Sequence, residues 1–150
     1  KNLNVKLFLL GQPDIDNPSN ISISKIKEWE KNKTLTYLGY SKDVRKFIIK
    51  CDCVILPTYR EGISKSLLEA SSVGRPIITT NVPGCKEIVD NKITGLLCNS
   101  KDVNDLIKKI EFFLNMSQVQ RNLMGKNGRN KILDNFDEKI IIDKYLNLII

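Results

Sequence analysis

A short apolar run, Cys53-Val54-Ile55-Leu56-Pro57, precedes Tyr59-Arg60-Glu61-Gly62-Ile63-Ser64-Lys65-Ser66-Leu67-Leu68-Glu69-Ala70, and this pair constrains the chain more than any other stretch. The run has the length and composition of a buried strand. Residues 66–73 read as a helix. A loop carrying Glu61 and Gly62 therefore joins a strand end to a helix start. In an open α/β sheet, ligands bind outside the carboxyl ends of the strands. The first amides of the helix lack partners within it and are aimed at whatever lies in front of them. With the helix dipole they favour an anion such as a diphosphate.

The two glutamates divide the space around that anion. Glu61 lies in the loop, near the mouth. Glu69 lies about 7.5 Å along the helix from Ser64, at about 1.5 Å per residue. The ribose diol of a nucleoside diphosphate lies about that far from its outer phosphate. A carboxylate only accepts hydrogen bonds, which suits a diol. The spacing predicts phosphates at the helix start, the ribose on Glu69, and Glu61 facing whatever is attached beyond the phosphates.

The rest of the chain alternates strands and helices. Residues 5–10 read as a strand, followed by a turn at Gly11-Gln12-Pro13-Asp14 and a polar loop over residues 16–22. Gly11, at that strand's carboxyl end, is either a turn glycine or a place where a ligand nears the backbone. Residues 23–31 form a helix with Ser22 or Ser24 as its cap. Residues 35–38 are a strand, and residues 41–50 a helix with Val44, Phe47 and Ile48 at helical spacing. The near-continuous apolar run of residues 53–56 reads as a central parallel strand. Residues 77–80 are another strand, residues 86–89 a short helix, and residues 95–97 a last strand. Glu87 is expected to cap or brace the turn before that short helix, in preference to a catalytic role. Helices follow over residues 103–114 and 118–135, the second weakened locally by Gly125 and Gly128. Residues 138–150 form a final helix with more apolar residues than one stripe needs. Short connections between alternating elements imply a Rossmann-like, doubly wound parallel sheet.

At 150 residues the chain has room for one domain with a real core. No run of 18 apolar residues occurs, so no spanning helix is expected. The opening residues have no signal-peptide layout and no Met, and read as a cut into a longer protein. The net charge of +7 is spread over scattered lysines, the pattern of a solvated surface. Contact with an anionic membrane is the second reading. Nucleic acid is disfavoured, since no helix-turn-helix, zinc or aromatic RNA-binding signature is present. Cys51, Cys53, Cys85 and Cys98 do not have zinc-site spacing and are expected to be reduced structural thiols. With 0 histidines, the chain itself holds no Ser-His-Asp or Cys-His mechanism and no His-ligated metal.

Residues 54–97 resemble the nucleotide-sugar-binding domain of GT-B glycosyltransferases, specifically the retaining family four. Glu61 and Glu69 match that family's paired glutamates. Gly74-Arg75-Pro76-Ile77-Ile78-Thr79-Thr80, Val82-Pro83-Gly84-Cys85-Lys86-Glu87-Ile88-Val89 and Thr94-Gly95-Leu96-Leu97 follow in the family's order. The likeness runs from Val5 to the C-terminus and is specific across residues 38–97. Many members carry Phe-Gly two residues after the first Glu, where this chain has Ile63-Ser64. The wording Glu-Gly-Ile-Ser-Lys-Ser-Leu-Leu-Glu-Ala is more similar to a bacterial subgroup that adds N-acetylhexosamine or hexose to lipid-linked glycans, capsule or O-antigen.

The resemblance implies a retaining, metal-independent transferase without cofactor, using a nucleotide sugar, chiefly a UDP-sugar. Glu61 would be catalytic. Gly62, Ile63, Ser64, Lys65 and Ser66 would hold the donor sugar and diphosphate, and Glu69 the ribose. Gly11, Gly39 and Tyr40 are candidate nucleotide contacts, with Tyr40 flanking the base; otherwise Tyr40 is a half-exposed packing residue. Arg60 is either a phosphate or acceptor contact or a surface residue. The chain would be the C-terminal, donor-binding domain, residues 1–150, lacking the N-terminal domain that holds the acceptor. The helix at residues 137–150 would cross to that domain, or let the chain self-associate. The family's diphosphate-steadying Arg and Lys would lie upstream of Lys1, so the chain alone is expected to be inactive. The implied setting is the cytoplasm, at the inner face of the membrane. A silent binding module of the same fold is the alternative. A sugar epimerase would be expected to show a His-rich centre, and a pyridoxal-phosphate phosphorylase a Schiff-base Lys motif; neither is present.

Overall fold

The structure is a computed structural model, and it describes residues 5–13 and 20–149. The chain divides into two compact units, Lys1–Val44 and Arg45–Ile150.

In the first unit, β1 (Phe8–Leu9) pairs in parallel with β2 (Thr36–Tyr37), in the register Phe8 with Thr36 and Leu9 with Tyr37. Both strands are shorter than their apolar runs. The pairing is one strand deep, and Val5, Leu7 and Phe8 remain nearly half exposed. Between the strands, α1 (Ile23–Lys31) starts at Ser22, whose hydroxyl accepts from the Lys25 amide. An N-cap of this kind satisfies one of the orphan donors of the first turn. Ile26 is its buried residue. Glu30 accepts from the Tyr37 amide at 2.8 Å, tying the helix to β2. The polar loop expected over residues 16–22 falls largely outside the described residues, as does Asp14 of the preceding turn.

In the second unit, β3 (Val54–Leu56), β4 (Ile77–Thr80) and β5 (Gly95–Cys98) form a parallel sheet in that order. Val54, Ile55 and Leu56 lie opposite Ile77, Ile78 and Thr79. The expectation of a central strand at residues 53–56 is corrected: within this sheet β4 is central and buried at every position, while β3 is half-buried. A strand covered on both faces and flanked on both sides has no solvated surface, so Ile77-Ile78-Thr79-Thr80 carries no charge. On one face Ile78 and Leu96 pack with Phe113 and Met124, surrounded by Ile55, Leu106 and Ile110.

The helix expected over residues 41–50 is only α2 (Arg45–Ile48). Its end tightens, with Lys50 donating to Phe47 O and Cys51 to Ile48 O. The helix expected at residues 86–89 is instead a series of hydrogen-bonded turns, in which Lys86 donates to Val82 O and Val89 to Cys85 O. After β3 comes α3 (Lys65–Ser72), and after β5 come α4 (Val103–Asn115), α5 (Gln118–Asn135) and α6 (Glu138–Ile149). Asp102 caps α4, and a reciprocal capping box of Ser117 and Gln120 opens α5. Arg121 closes the turn between them, donating to Phe113 O and Leu114 O and stacking over the Phe113 ring.

Helix α5 is continuous through Gly125 and Gly128. Gly125 permits contact: a β-carbon there would lie 2.1 Å from Gly74 O, in the turn after α3. On α6, Ile142, Tyr145, Leu146 and Leu148 are each more than half exposed. The helix extends through Ile149; Ile150 lies outside the described residues.

Candidate functional site

The site loop hangs from β3 and is held by β4. Thr79 Oγ1 donates to Leu56 O at 2.7 Å, at the carboxyl end of β3. Thr80 Oγ1 donates to Thr58 O at 2.5 Å and accepts from the Thr58 amide at 3.2 Å. Thr58 Oγ1 in turn donates to Arg60 O. Both β4 threonines are buried, so their hydroxyls need partners, and the loop backbone supplies them. The sequence pattern of residues 77–80 predicts a strand and does not reveal the partners of these hydroxyls. The available signal was two polar β-branched residues closing an otherwise apolar buried strand.

The loop then climbs to the surface. Tyr59 and Arg60 are exposed, with the Lys101 ammonium 5.7 Å from the Tyr59 ring centre. Glu61 is half-buried, Gly62 and Ile63 are exposed, and Ser64 is buried. Ser64 occupies the N-cap of α3, yet its hydroxyl makes no capping bond. Its carbonyl accepts from both Leu67 and Leu68. The amides of Gly62, Ile63, Ser64, Lys65 and Ser66 donate to nothing among the described residues. A run of free amides entering a helix N-terminus, with a cap residue that leaves them free, is an anion-binding arrangement.

Two carboxylates flank the run. Glu69, half-buried on α3, makes no side-chain hydrogen bond or ion pair among the described residues, and neither does Glu61. Both acceptors are therefore available to a ligand's hydroxyls. Cys85 is fully buried beside the loop. Burial pushes its thiol above the ordinary value, a hydrogen bond with Thr79 opposes this, and the negative charges of Glu61 and Glu87 raise it further. Burial likewise pushes Cys53 up to about 12, and it raises Cys51 and Cys98. All four cysteines are free. Thiols held neutral in this way are poor nucleophiles and metal ligands.

Behind the loop, the turn at Val82-Pro83-Gly84 makes a close contact that the sequence does not advertise. A β-carbon at Gly84 would lie 1.8 Å from Gly62 O and 2.7 Å from Glu61 O. Gly84 has a φ of 84°, in the left-handed region. As expected, Glu87 braces this turn, accepting from the Gly84 amide at 2.6 Å.

In the first unit, Gly11 and Gly39 come together at the carboxyl ends of β1 and β2. The Gly11 amide donates to Gly39 O at 2.9 Å, and Tyr37 Oη donates to Gly11 O at 2.8 Å. Tyr40 follows and is 63% exposed. No group of three or more His, Cys, Asp or Glu residues that could hold a metal ion occurs among the described residues. No described helix is long and apolar enough to cross a membrane.

Comparison with known proteins agrees with this layout. The family model for glycosyl transferases group 1 matches residues 1–131. The chain is 35% identical over 140 residues to N,N'-diacetylbacillosaminyl-diphospho-undecaprenol alpha-1,3-N-acetylgalactosaminyltransferase of Campylobacter jejuni, covering 93% of this chain and 35% of that protein. It is 32% identical over 118 residues to UDP-Gal:alpha-D-GlcNAc-diphosphoundecaprenol alpha-1,3-galactosyltransferase of Escherichia coli, covering 79% of this chain and 30% of that one. The fold matches that of Anabaena Alr3699/HepE, solved in complex with UDP, with a TM-score of 0.82 at 19% identity, over 97% of this chain and 40% of that one. The chain thus spans about a third of the length of these curated relatives. Parallel sheets with flanking helices, the ordered glutamate, Gly-Arg-Pro and Thr-Gly segments, and the family match together lead to one conclusion: this chain belongs to the glycosyl transferases group 1 family, with the Rossmann-like α/β fold of GT-B glycosyltransferases.

Proposed function

We propose that this chain is the donor-binding domain of a retaining, metal-independent glycosyltransferase that takes a UDP-sugar and elongates a lipid-linked glycan. The observation that carries this reading is the run of free amides at residues 62–66 between two unpaired carboxylates. The amides of Ile63, Ser64, Lys65 and Ser66 hold the diphosphate, aided by the Lys65 ammonium. Negative charge grows on the diphosphate as the sugar–phosphate bond breaks, and preorganised donors stabilise that charge most in the transition state. Gly62 brings the backbone near the sugar. Glu61 holds sugar hydroxyls and stabilises the positive charge that develops on the ring. Glu69 accepts from the ribose diol. A UDP donor is supported by the UDP complex of the Anabaena fold neighbour and by the Escherichia coli relative, whose name specifies UDP-Gal. A lipid-linked acceptor is supported by the undecaprenol diphosphate named for both relatives. The setting we propose is the inner face of the membrane, which a lipid-linked acceptor supports. The acceptor lies on an N-terminal domain, and α6 crosses to that domain, covering its exposed Ile142, Tyr145, Leu146 and Leu148.

Glu69→Ala tests the nucleotide half of the site. UDP affinity in the intact protein is expected to fall by about 1.5–3 kcal/mol, the range for hydrogen bonds to a charged group. Titration calorimetry reads it. Unchanged affinity in a folded variant removes Glu69 from the ribose. The diphosphate half is tested by chelation. Turnover is expected to persist in EDTA, because the amides do the work a metal would do elsewhere. Activity lost to EDTA and restored by magnesium or manganese contradicts this diphosphate site.

A further inference from the structure

The turn after β4 meets the site loop from behind, and the geometry points to Glu87 as a positioning residue that aims Glu61, Gly62 and Ile63 through Gly84. The inference rests on the proposed donor site and names what sets its geometry. Contact between turn and loop is backbone to backbone, since a β-carbon at Gly84 would meet Gly62 O at 1.8 Å. Gly62 O is the first atom it would meet, so the Gly62 carbonyl faces Gly84. No peptide among the described residues is cis. In a trans peptide the next N–H points to the side opposite the carbonyl. The Ile63 amide is thereby turned away from the turn, and Ile63 itself is 59% exposed. Moving Gly84 would rotate that amide and carry Glu61 with it.

Gly84 is kept in place by Glu87. Its amide donates to Glu87 Oε2 at 2.6 Å. That is the one side-chain hydrogen bond Glu87 makes among the described residues, and Glu87 is exposed. A surface carboxylate with a single bond adds little to global stability. Here that bond goes to a residue at which an added β-carbon would lie 1.8 Å from Gly62 O and 2.7 Å from Glu61 O. The relay runs from the Glu87 carboxylate to the Gly84 amide, from Gly84 to the Gly62 carbonyl, and from that peptide to the Ile63 amide.

The test uses the intact protein, calorimetry with UDP, and release of UDP from a UDP-hexose. Glu87→Ala is expected to lower turnover by roughly tenfold to a hundredfold, the scale on which a misplaced reacting group costs rate. UDP affinity falls severalfold, and the melting temperature stays near that of the wild type. Glu87→Gln, whose amide oxygen still accepts from Gly84, retains most of both activities. In a Glu61→Gln background the Glu87→Ala substitution costs far less turnover, because the carboxylate it aimed is gone. Wild-type turnover and UDP affinity in folded Glu87→Ala overturn the inference. So does an equal loss in Glu87→Gln, or a loss undiminished in the double variant. If Glu61→Gln alone turns over normally, the catalytic reading fails instead. UDP affinity of Glu87→Ala then decides this inference through the Ile63 amide.

Discussion

Glu61→Gln is expected to lower turnover by about 100-fold or more, which corresponds to roughly 2.7 kcal/mol of transition-state stabilisation. The substitution keeps the shape and removes the charge. Glu61 sits before the free amides, beyond the place proposed for the outer phosphate, and its carboxylate has no hydrogen-bond partner among the described residues. It should therefore touch the sugar and not the nucleotide. UDP affinity is expected to stay within about twofold, which is under roughly 0.5 kcal/mol. A contact made only in the transition state lowers kcat and kcat/KM together. Steady-state kinetics with calorimetry on the same variant separates the outcomes. Equal turnover removes Glu61 from the mechanism and favours a silent nucleotide-sugar-binding module. A large loss of UDP binding means that Glu61 and Glu69 divide the donor differently.

The second large effect is structural. Gly125→Ala is expected to destabilise the fold, although an exposed glycine-to-alanine change inside a helix would stabilise it by about 1 kcal/mol. The added β-carbon would lie 2.1 Å from Gly74 O, 2.9 Å from Gly74 C and 3.2 Å from Pro76 Cδ. None of these atoms is the far end of a flexible side chain. Relief requires α5 to shift away from the turn after α3, opening the packing around Met124 and Ile132. Overpacking of this kind costs typically about 1–3 kcal/mol beyond any gain. A fall in the melting midpoint of roughly 3–10 °C is expected for a domain of this size. Thermal unfolding followed by circular dichroism checks it. An unchanged or raised midpoint shows that the α3–α5 contact is looser than the geometry states.

Local chemistry made much of the frame readable. The start of α1 follows from Ser22, because a cap acts within one turn of where it stands. The strand at Ile77–Thr80 was legible as an uncharged run between a turn and a polar segment. Contacts across sequence distance were not legible. Nothing in Cys53-Val54-Ile55-Leu56 tells which strand is central, since a half-buried strand and a fully buried one use the same residues. The predicted helix over residues 41–50 contracts to Arg45–Ile48, and Ser41 Oγ donates to Asp43 O in the segment expected to be its first turn. Gly125 looked like a helix weakness, and only its approach to Gly74 gives it a purpose.

The site divides in the same way. Glu61, Glu69 and the helix start were visible because they lie within one strand–loop–helix segment. Thr79, Thr80 and Gly84, which hold that segment from β4 and its turn, were not. A buried threonine hydroxyl and a close-approach glycine reveal their work only when the partner backbone is in view.

The central claim is that the amides of residues 63–66 hold a nucleotide diphosphate without a metal. A crystal structure of the protein with UDP, in EDTA, tests it most directly. Diphosphate oxygens are expected within about 3.2 Å of the Ile63, Ser64, Lys65 and Ser66 nitrogens, the ordinary range for such bonds. The Glu69 carboxylate is expected on both ribose hydroxyls. UDP bound with its diphosphate away from these amides, or with its ribose away from Glu69, would contradict it.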